Sequence, residues 1–374
     1  MTDTVKTAPP DPVGSTKRSP WWSLAATLAL VGGALFAFDW FSAGSEVARR
    51  GVFSQRPPVY GRFEPSFSRW GAIALALAAV IGAASFVFAR RDRMRPLLLL
   101  PVAVAMLISF AAAVAFVNGE KIALVDPLYR TKLVDYQVDV KTVQTLGVRP
   151  FVERFPEIAH TLQSVHSRDH PPGPIVLLSV LRSLSPGRLV PRAIALAFLS
   201  SLMLVAAWMM AKRLGGDRAA LLAVLLLVVA PGVVLFTFTS LDAVFGALLS
   251  GSAALLVWGF AADGRLRYAV LGGAALALSS FFTYGFLWII VFAGIYALLT
   301  RGIRGCMKPL AAAGAGFVGG VLLLRVGLGY DLVAAYRASY ELVPQLSKRS
   351  AVYWFFGDPA VWLTFAGLPI AALS

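Results

Sequence analysis

One stretch of the chain, from Asn118 to His170, holds all three histidines, His160, His166 and His170. It also carries Glu120, Asp126, Asp135, Asp139, Glu153, Glu157 and Asp169. Carboxylates act as general bases, and imidazoles and guanidiniums stabilise charge that develops on an oxygen. Residues 133–146 read as a short amphipathic helix on which Asp135 and Asp139, four apart, share a face. Val134, Val138, Val140, Val143 and Leu146 would then turn toward lipid or protein. The plainer reading is a solvated acidic face. Next comes His170-Pro171-Pro172-Gly173-Pro174, where three prolines and a glycine set a rigid turn. His170 is held there either to donate to a phosphate or as part of a hinge into an apolar segment. His166 and His170 have a spacing that zinc sites use, but no second cluster or cysteine supports it, so no metal site is expected. Asp242, ten residues beyond the Pro231-Gly232 pair, is a lone acid between two apolar helices, where charge is costly and usually functional. It also suits the N-cap of the next helix, and both roles are compatible.

The elements that must position these groups are helices in a membrane. Of 374 residues, 58% are hydrophobic and 14% charged, against roughly 45–50% and 25% in soluble domains. The apolar residues form runs of about 20, the length a helix needs to span a bilayer. Unbroken runs without alternation exclude a β-barrel. The fold class is therefore all-α, a polytopic transmembrane bundle of about nine or ten spanning helices, with short interfacial helices in the outer loop between helices 3 and 4. A net charge of +15 does not imply nucleic acid, because most basic residues sit in short links between apolar runs. The single cysteine, Cys306, cannot form a disulfide within the chain.

Residues 1–20 form a polar tail, placed in the cytoplasm, and the full-length apolar run at 21–40 reads as an uncleaved anchor rather than a signal peptide. Further spans are expected at 70–89, 96–117, 190–211, 219–236, 243–261, 268–282, 285–300 and 309–328, and a last apolar stretch starts near Tyr353. The eleven apolar residues 174–184 are too few to cross and read as re-entrant or interfacial. The basic links at 90–95, 212–213, 263–267 and 301–304 then all lie inside, and the loop 118–172 lies outside. Arg49, Arg50, Arg56 and Arg62 in the first outer loop run against this bias. Tyr336, Arg337, Tyr340 and Glu341 fall in a late outer loop. The expected location is the cell membrane, multi-pass.

Several motifs in order resemble the GT-C superfamily of membrane glycosyltransferases, in the branch that includes protein O-mannosyltransferases and aminoarabinose transferases. They are Asp135-Tyr136-Gln137-Val138-Asp139-Val140, His170-Pro171-Pro172-Gly173, Ala211-Lys212-Arg213-Leu214-Gly215-Gly216, the pair Pro231 and Asp242, and Gly272-Gly273 through Ser280 to Tyr284. The likeness covers about residues 100–300, and residues 21–374 are read as one GT-C-like transmembrane domain with its presumed active site in the loop 118–172. It implies a donor sugar carried on polyprenyl phosphate, an acceptor hydroxyl on a cell-envelope glycan, lipid or protein, and inversion at the anomeric carbon. In that reaction Asp135 is the first choice of base and Asp139 the second, with Asp242 orienting the acceptor or the base. His170, Arg168 and Arg149 would steady the phosphate, and Pro171, Pro172, Gly173 and Tyr284 would shape the binding site. No cofactor is required, although a divalent metal is compatible with the superfamily. The competing expectations are a transporter, which would show internal repeats and helices broken at mid-membrane, and a relative that binds polyprenyl lipids without catalysis.

Overall fold

The computed structural model describes residues 68–89, 96–128 and 136–346, and every regular element among them is helical. The tail 1–20, the expected span 21–40, the arginines of the first loop, the basic link 90–95, Asp135 and the stretch from Tyr353 lie outside the described residues. Helices α1 (Arg69–Ala89) and α2 (Pro96–Ala115) are the first two described spans. The 21 residues of α1 cover about 31 Å at the usual helical rise, which matches the hydrocarbon depth of a bilayer. Leu75, Val80 and Phe86 stand exposed along α1, as side chains facing lipid would.

Two later apolar runs are too long to cross the bilayer once and must break. Residues 189–229 form a run of 41 residues, and residues 286–328 one of 43. Each would be about 60 Å long as a straight helix, twice the membrane. The first run comprises α8 (Leu189–Ser201) and α9 (Met203–Val229), and α9 is broken at Gly216, where φ is 80°. The second, α13 (Phe286–Leu328), is broken at Gly302 with φ 64°. Positive φ is nearly free of cost only for glycine, so both breaks fall where the sequence allows them. The span expected at 219–236 does not run through. Pro231, lacking an N–H, begins a separate short helix, α10 (Pro231–Thr237). The spans α11 (Leu241–Phe260) and α12 (Leu266–Phe282) fall close to the positions expected. Helix α12 packs on α13 through glycine: a Cβ on Gly273 would collide with the Ala313 carbonyl, and one on Gly316 with that of Val270.

The links sort into two ends. Arg213 pairs with Asp263, and Arg301 donates to the carbonyls of Phe260, Ala261 and Gly264. The three basic links after residue 200 therefore meet at one end, as the parity of the spans requires. At the other end the Tyr330 hydroxyl donates to the Ser280 carbonyl at 2.7 Å, and the Tyr284 hydroxyl donates to the Ala335 carbonyl at 3.0 Å. That second end also carries the loop after α2.

In this loop the described part of the helix expected at 133–146 is not one continuous α-helix. A 3-10 turn over Tyr136–Asp139 leads into α4 (Val140–Leu146). Val138, Val140 and Val143 are buried, so its apolar side meets protein, and Asp139, buried too, is not on a solvated face. After the short α3 (Asp126–Leu128) and α4 come α5 (Val148–Ile158), α6 (Val165–Asp169) and α7 (Gly173–Leu184). Phe151, Val152 and Phe155 make the buried stripe of α5. With 12 residues, α7 reaches about 18 Å, short of a span as expected. The late outer loop is instead a helix, α14 (Leu332–Leu346), because Ala335 and Ser339, one turn apart, bury against the second end.

Candidate functional site

The HPPGP turn is packed into the protein rather than offered to a ligand. Pro171, Pro172, Gly173 and Pro174 are all buried, and Gly173 sits so close to the Phe281 carbonyl that a Cβ would not fit. The turn thereby fixes the start of α7 against the end of α12, and with it the side chain just upstream. His170 Nδ1 lies 2.5 Å from the Tyr136 hydroxyl and 3.4 Å from Asp169 Oδ1. Across α6, His166 Nδ1 lies 4.0 Å from the same Asp169 oxygen. The rings of Tyr136, His166 and His170 are mutual neighbours at centroid distances of 5.7–5.9 Å, with Phe245 of α11 6.0 Å from His170.

Beside this cluster opens a cavity of about 250 Å³, lined in part by Tyr136, Gln137, His166, Thr239, Ser240 and Asp242. Asp242 is not the N-cap of α11. Ser240 takes that place, its Oγ accepting from the Asp242 N–H at 3.1 Å and lying 3.2 Å from Asp242 Oδ2. The carboxylate thus sits in the first turn of α11, where the helix dipole favours its charge, and faces the cavity. Tyr136 stays protonated: burial first, then the charges of Asp242 and Asp169, push its phenol well above the ordinary value. Burial lowers His170 below an ordinary histidine, which favours the neutral ring, with one nitrogen carrying a proton and the other a lone pair.

The other expected site residues do different work. Asp139 is 1% exposed, and its two oxygens accept from the Gln163 and Ser164 N–H groups at 2.9 and 3.0 Å. It anchors the segment that leads into α6 and is not among the residues lining the cavity. The Arg168 guanidinium binds the carbonyls of Gln163 and Ser164 in the same segment. Arg149 pairs with Glu153 along the exposed side of α5, at 2.9 Å. The Tyr284 hydroxyl is 3.0 Å from Ser339 Oγ as well as from the Ala335 carbonyl, bracing α14, which packs on α6. Asp135 lies outside the described residues, immediately before Tyr136. The cluster therefore joins His170 with Asp242 from the expected set, and adds Tyr136, Gln137, His166, Asp169 and Ser240. Asp169 precedes His170 in the sequence, but nothing in its spacing shows that its carboxylate lies between two imidazoles.

The His166, Asp169 and His170 donor atoms all lie within 4.8 Å of one another. His166 Nδ1 and Asp169 Oδ1 are buried atoms without a hydrogen-bond partner. A tetrahedral divalent ion with ligands at about 2.0–2.1 Å has edges near 3.3 Å; the His170–Asp169 separation of 3.4 Å matches that edge, while the His166–Asp169 separation of 4.0 Å, and others within the group of up to 4.8 Å, must close to reach it. The donor types suit such an ion once the group closes and Tyr136 gives up His170, and Asp169 is the third ligand that the histidine spacing lacked.

This architecture is that of a helical membrane protein with a polar site at one end of the bundle. Residues 169–325 match the family model described as dolichyl-phosphate-mannose-protein mannosyltransferase, a GT-C type of membrane glycosyltransferase, in agreement with the resemblance read from the motifs. The matched segment contains Asp169, His170, α7 to the larger part of α13, and Asp242, whereas Tyr136, Asp139 and His166 precede it. No curated protein and no solved structure matches the chain.

Proposed function

We propose that the chain transfers a sugar from a polyprenyl-phosphate-linked donor to an acceptor hydroxyl, with inversion, and that the end of the bundle bearing α4 to α7 faces the extracytoplasmic side. The observation that carries this reading is the convergence of the Asp242 carboxylate with Tyr136 and His166 on one cavity at the membrane boundary, within and next to a segment similar to mannosyltransferases. A polyprenyl carrier keeps its phosphate near that boundary and its tail in lipid, so a site there meets the donor without lifting it out of the membrane.

Transfer forms a bond from the acceptor oxygen to the anomeric carbon and breaks the bond from that carbon to the phosphate oxygen, which leaves with the electron pair. The acceptor proton passes to a carboxylate. Asp135, the first choice of base from the motif order, is assigned that role, and Asp242 orients the acceptor by accepting a hydrogen bond. His170, neutral and held by Tyr136, donates from Nε2 to the phosphate. A divalent cation bound by His166, Asp169 and His170 would take the His170 nitrogen that otherwise meets Tyr136, and would supply further positive charge at the site. Asp139 and Arg168 position α6. The natural acceptor lies among cell-envelope glycans, lipids and proteins.

The test is sugar transfer by the purified full chain in detergent with polyprenyl-phosphate sugars, compared with Asp135→Asn and Asp242→Asn. Both variants are expected to fold and to lose most transfer. Transfer at the wild-type rate in both would remove the site assignment, and retention of polyprenyl lipid without transfer by the wild type would favour the non-catalytic binder.

A further inference from the structure

A second cavity, of about 630 Å³, lies at the same end of the bundle and shares no lining residue with the first. Val125, Gln144, Arg182, Ser183, Leu189 and Arg192 contribute to it. Arg192 is 4% exposed, one of the most buried charges among the described residues. Its Nη2 and Nε donate to the Ser185 carbonyl at 2.9 and 3.2 Å, which ties α8 to the end of α7. Its Nη1 is buried and has no partner. Arg182 is close enough for the two positive charges to act on each other, and neither forms an ion pair among the described residues. Among the described residues, no carboxylate lines the cavity.

Two guanidiniums brought together, one of them buried with a free donor, form an arrangement that is unfavourable until an anion enters it. Guanidinium donors match the oxygens of a phosphate in spacing and in charge. Gln144 and Ser183 add neutral polar groups. Beside the cavity, Leu184 is 77% exposed, and Val190 and Ile194 are about half exposed. An occupant with a phosphate in the cavity and hydrocarbon along these side chains satisfies both surfaces at once.

We propose that the Arg182–Arg192 cavity is a binding site for the phosphate group of a membrane lipid, separate from the Asp242 cavity. Arg192 Nη1 and the Arg182 guanidinium bind the phosphate oxygens, and the acyl or prenyl chain runs down the exposed face of α8. Leu178 lines the first cavity and Arg182, four residues further along α7, lines the second, so a lipid held here lies one helical turn from the candidate active site. The site does not depend on the transferase reading, since a lipid could bind there in a protein without catalysis.

The test is binding of dihexanoyl phosphatidic acid to the detergent-purified full chain, followed by thermal shift and native mass spectrometry. Dihexanoylglycerol and inorganic phosphate serve as parallel probes. The expected result is saturable binding of the phosphatidic acid, no binding of the neutral glyceride, and weak or no binding of inorganic phosphate. Arg182→Gln should weaken the lipid about tenfold or more. Arg182→Gln carries the test because Arg192→Gln also releases Ser185 and can unfold the α7–α8 corner. Asp242→Asn should bind the lipid as the wild type does. Unchanged affinity in Arg182→Gln, equal binding of dihexanoylglycerol, or no binding at all would overturn the site. Inorganic phosphate binding as tightly as the lipid would overturn its assignment to a lipid, and loss of binding in Asp242→Asn would overturn its separateness.

Discussion

The Tyr136 hydroxyl and His170 Nδ1 lie 2.5 Å apart, although 34 residues separate them. This bond ties the 3-10 turn before α4 to the end of α6. Burial and two nearby carboxylates keep the phenol protonated, so the hydroxyl has a proton to give to this bond. Tyr136→Phe retains the ring but leaves a buried acceptor without its partner, a loss of about 1–3 kcal/mol. The variant is expected to melt at a lower temperature and to transfer sugar more slowly. Thermal unfolding and a transfer assay check both, and wild-type values in each would show that the bond has no role.

Asp139 and Asp242 should separate cleanly. Asp139→Asn leaves one of the two backbone N–H groups at Gln163 and Ser164 facing an amide NH₂ instead of an oxygen, at a cost of about 1–3 kcal/mol. Asp242→Asn touches a carboxylate in an exposed first turn and should change stability by less than about 1 kcal/mol. Transfer should behave the other way: Asp242→Asn is expected to lose about a hundredfold, and Asp139→Asn only what its stability explains. Parallel melting and rate measurements decide, and the reverse pattern would exchange the two roles.

The His166, Asp169 and His170 cluster makes a prediction about metal. Titration of metal-stripped protein with Co²⁺ should give one equivalent bound, with the visible absorption of a tetrahedral site, and Zn²⁺ should displace it. His166→Ala should lose the band and weaken binding at least tenfold, roughly the low end for losing a ligand or its support. An absorption spectrum unchanged in this variant would place the ion elsewhere.

Alkaline pH should destabilise the protein in a defined window. Tyr136, Tyr284 and Tyr330 are all held above the ordinary phenol value of 10.0, burial being the largest cause for each. In the unfolded chain they ionise near that value, so above it the folded state holds more protons than the unfolded one. The stability they contribute is complete below pH 10 and declines as pH rises beyond it. Thermal unfolding across this range, with tyrosinate absorbance followed in parallel, should show these phenols ionising only as the fold is lost. Free ionisation of all tyrosines in folded protein would contradict this.

The membrane-helical class was legible in the sequence because hydrocarbon accepts one kind of spanning segment here, a run of about 20 apolar residues with all backbone bonds internal. The meeting of the basic links at one end followed from parity, and the glycines at 216 and 302 were already placed in or beside those links. Short-range rules also singled out His170 and Asp242, since a Pro-Pro-Gly turn and a lone acid between apolar helices stand out without any fold. The Pro-Gly pair at 231–232 marked a break in its helix locally, whereas the length of the α4 helix and the existence of α14 were less legible, because burial against distant elements decides them. Only the tertiary structure could show that both Asp139 oxygens serve backbone amides 24 and 25 residues away, that Arg168 is engaged with carbonyls, or that Arg192 keeps a free donor in a cavity. Sequence spacing reports neighbours on one helix face; partners brought together across a loop or between helices are set by packing, which decides whether a charged group meets a backbone amide, a ligand or water.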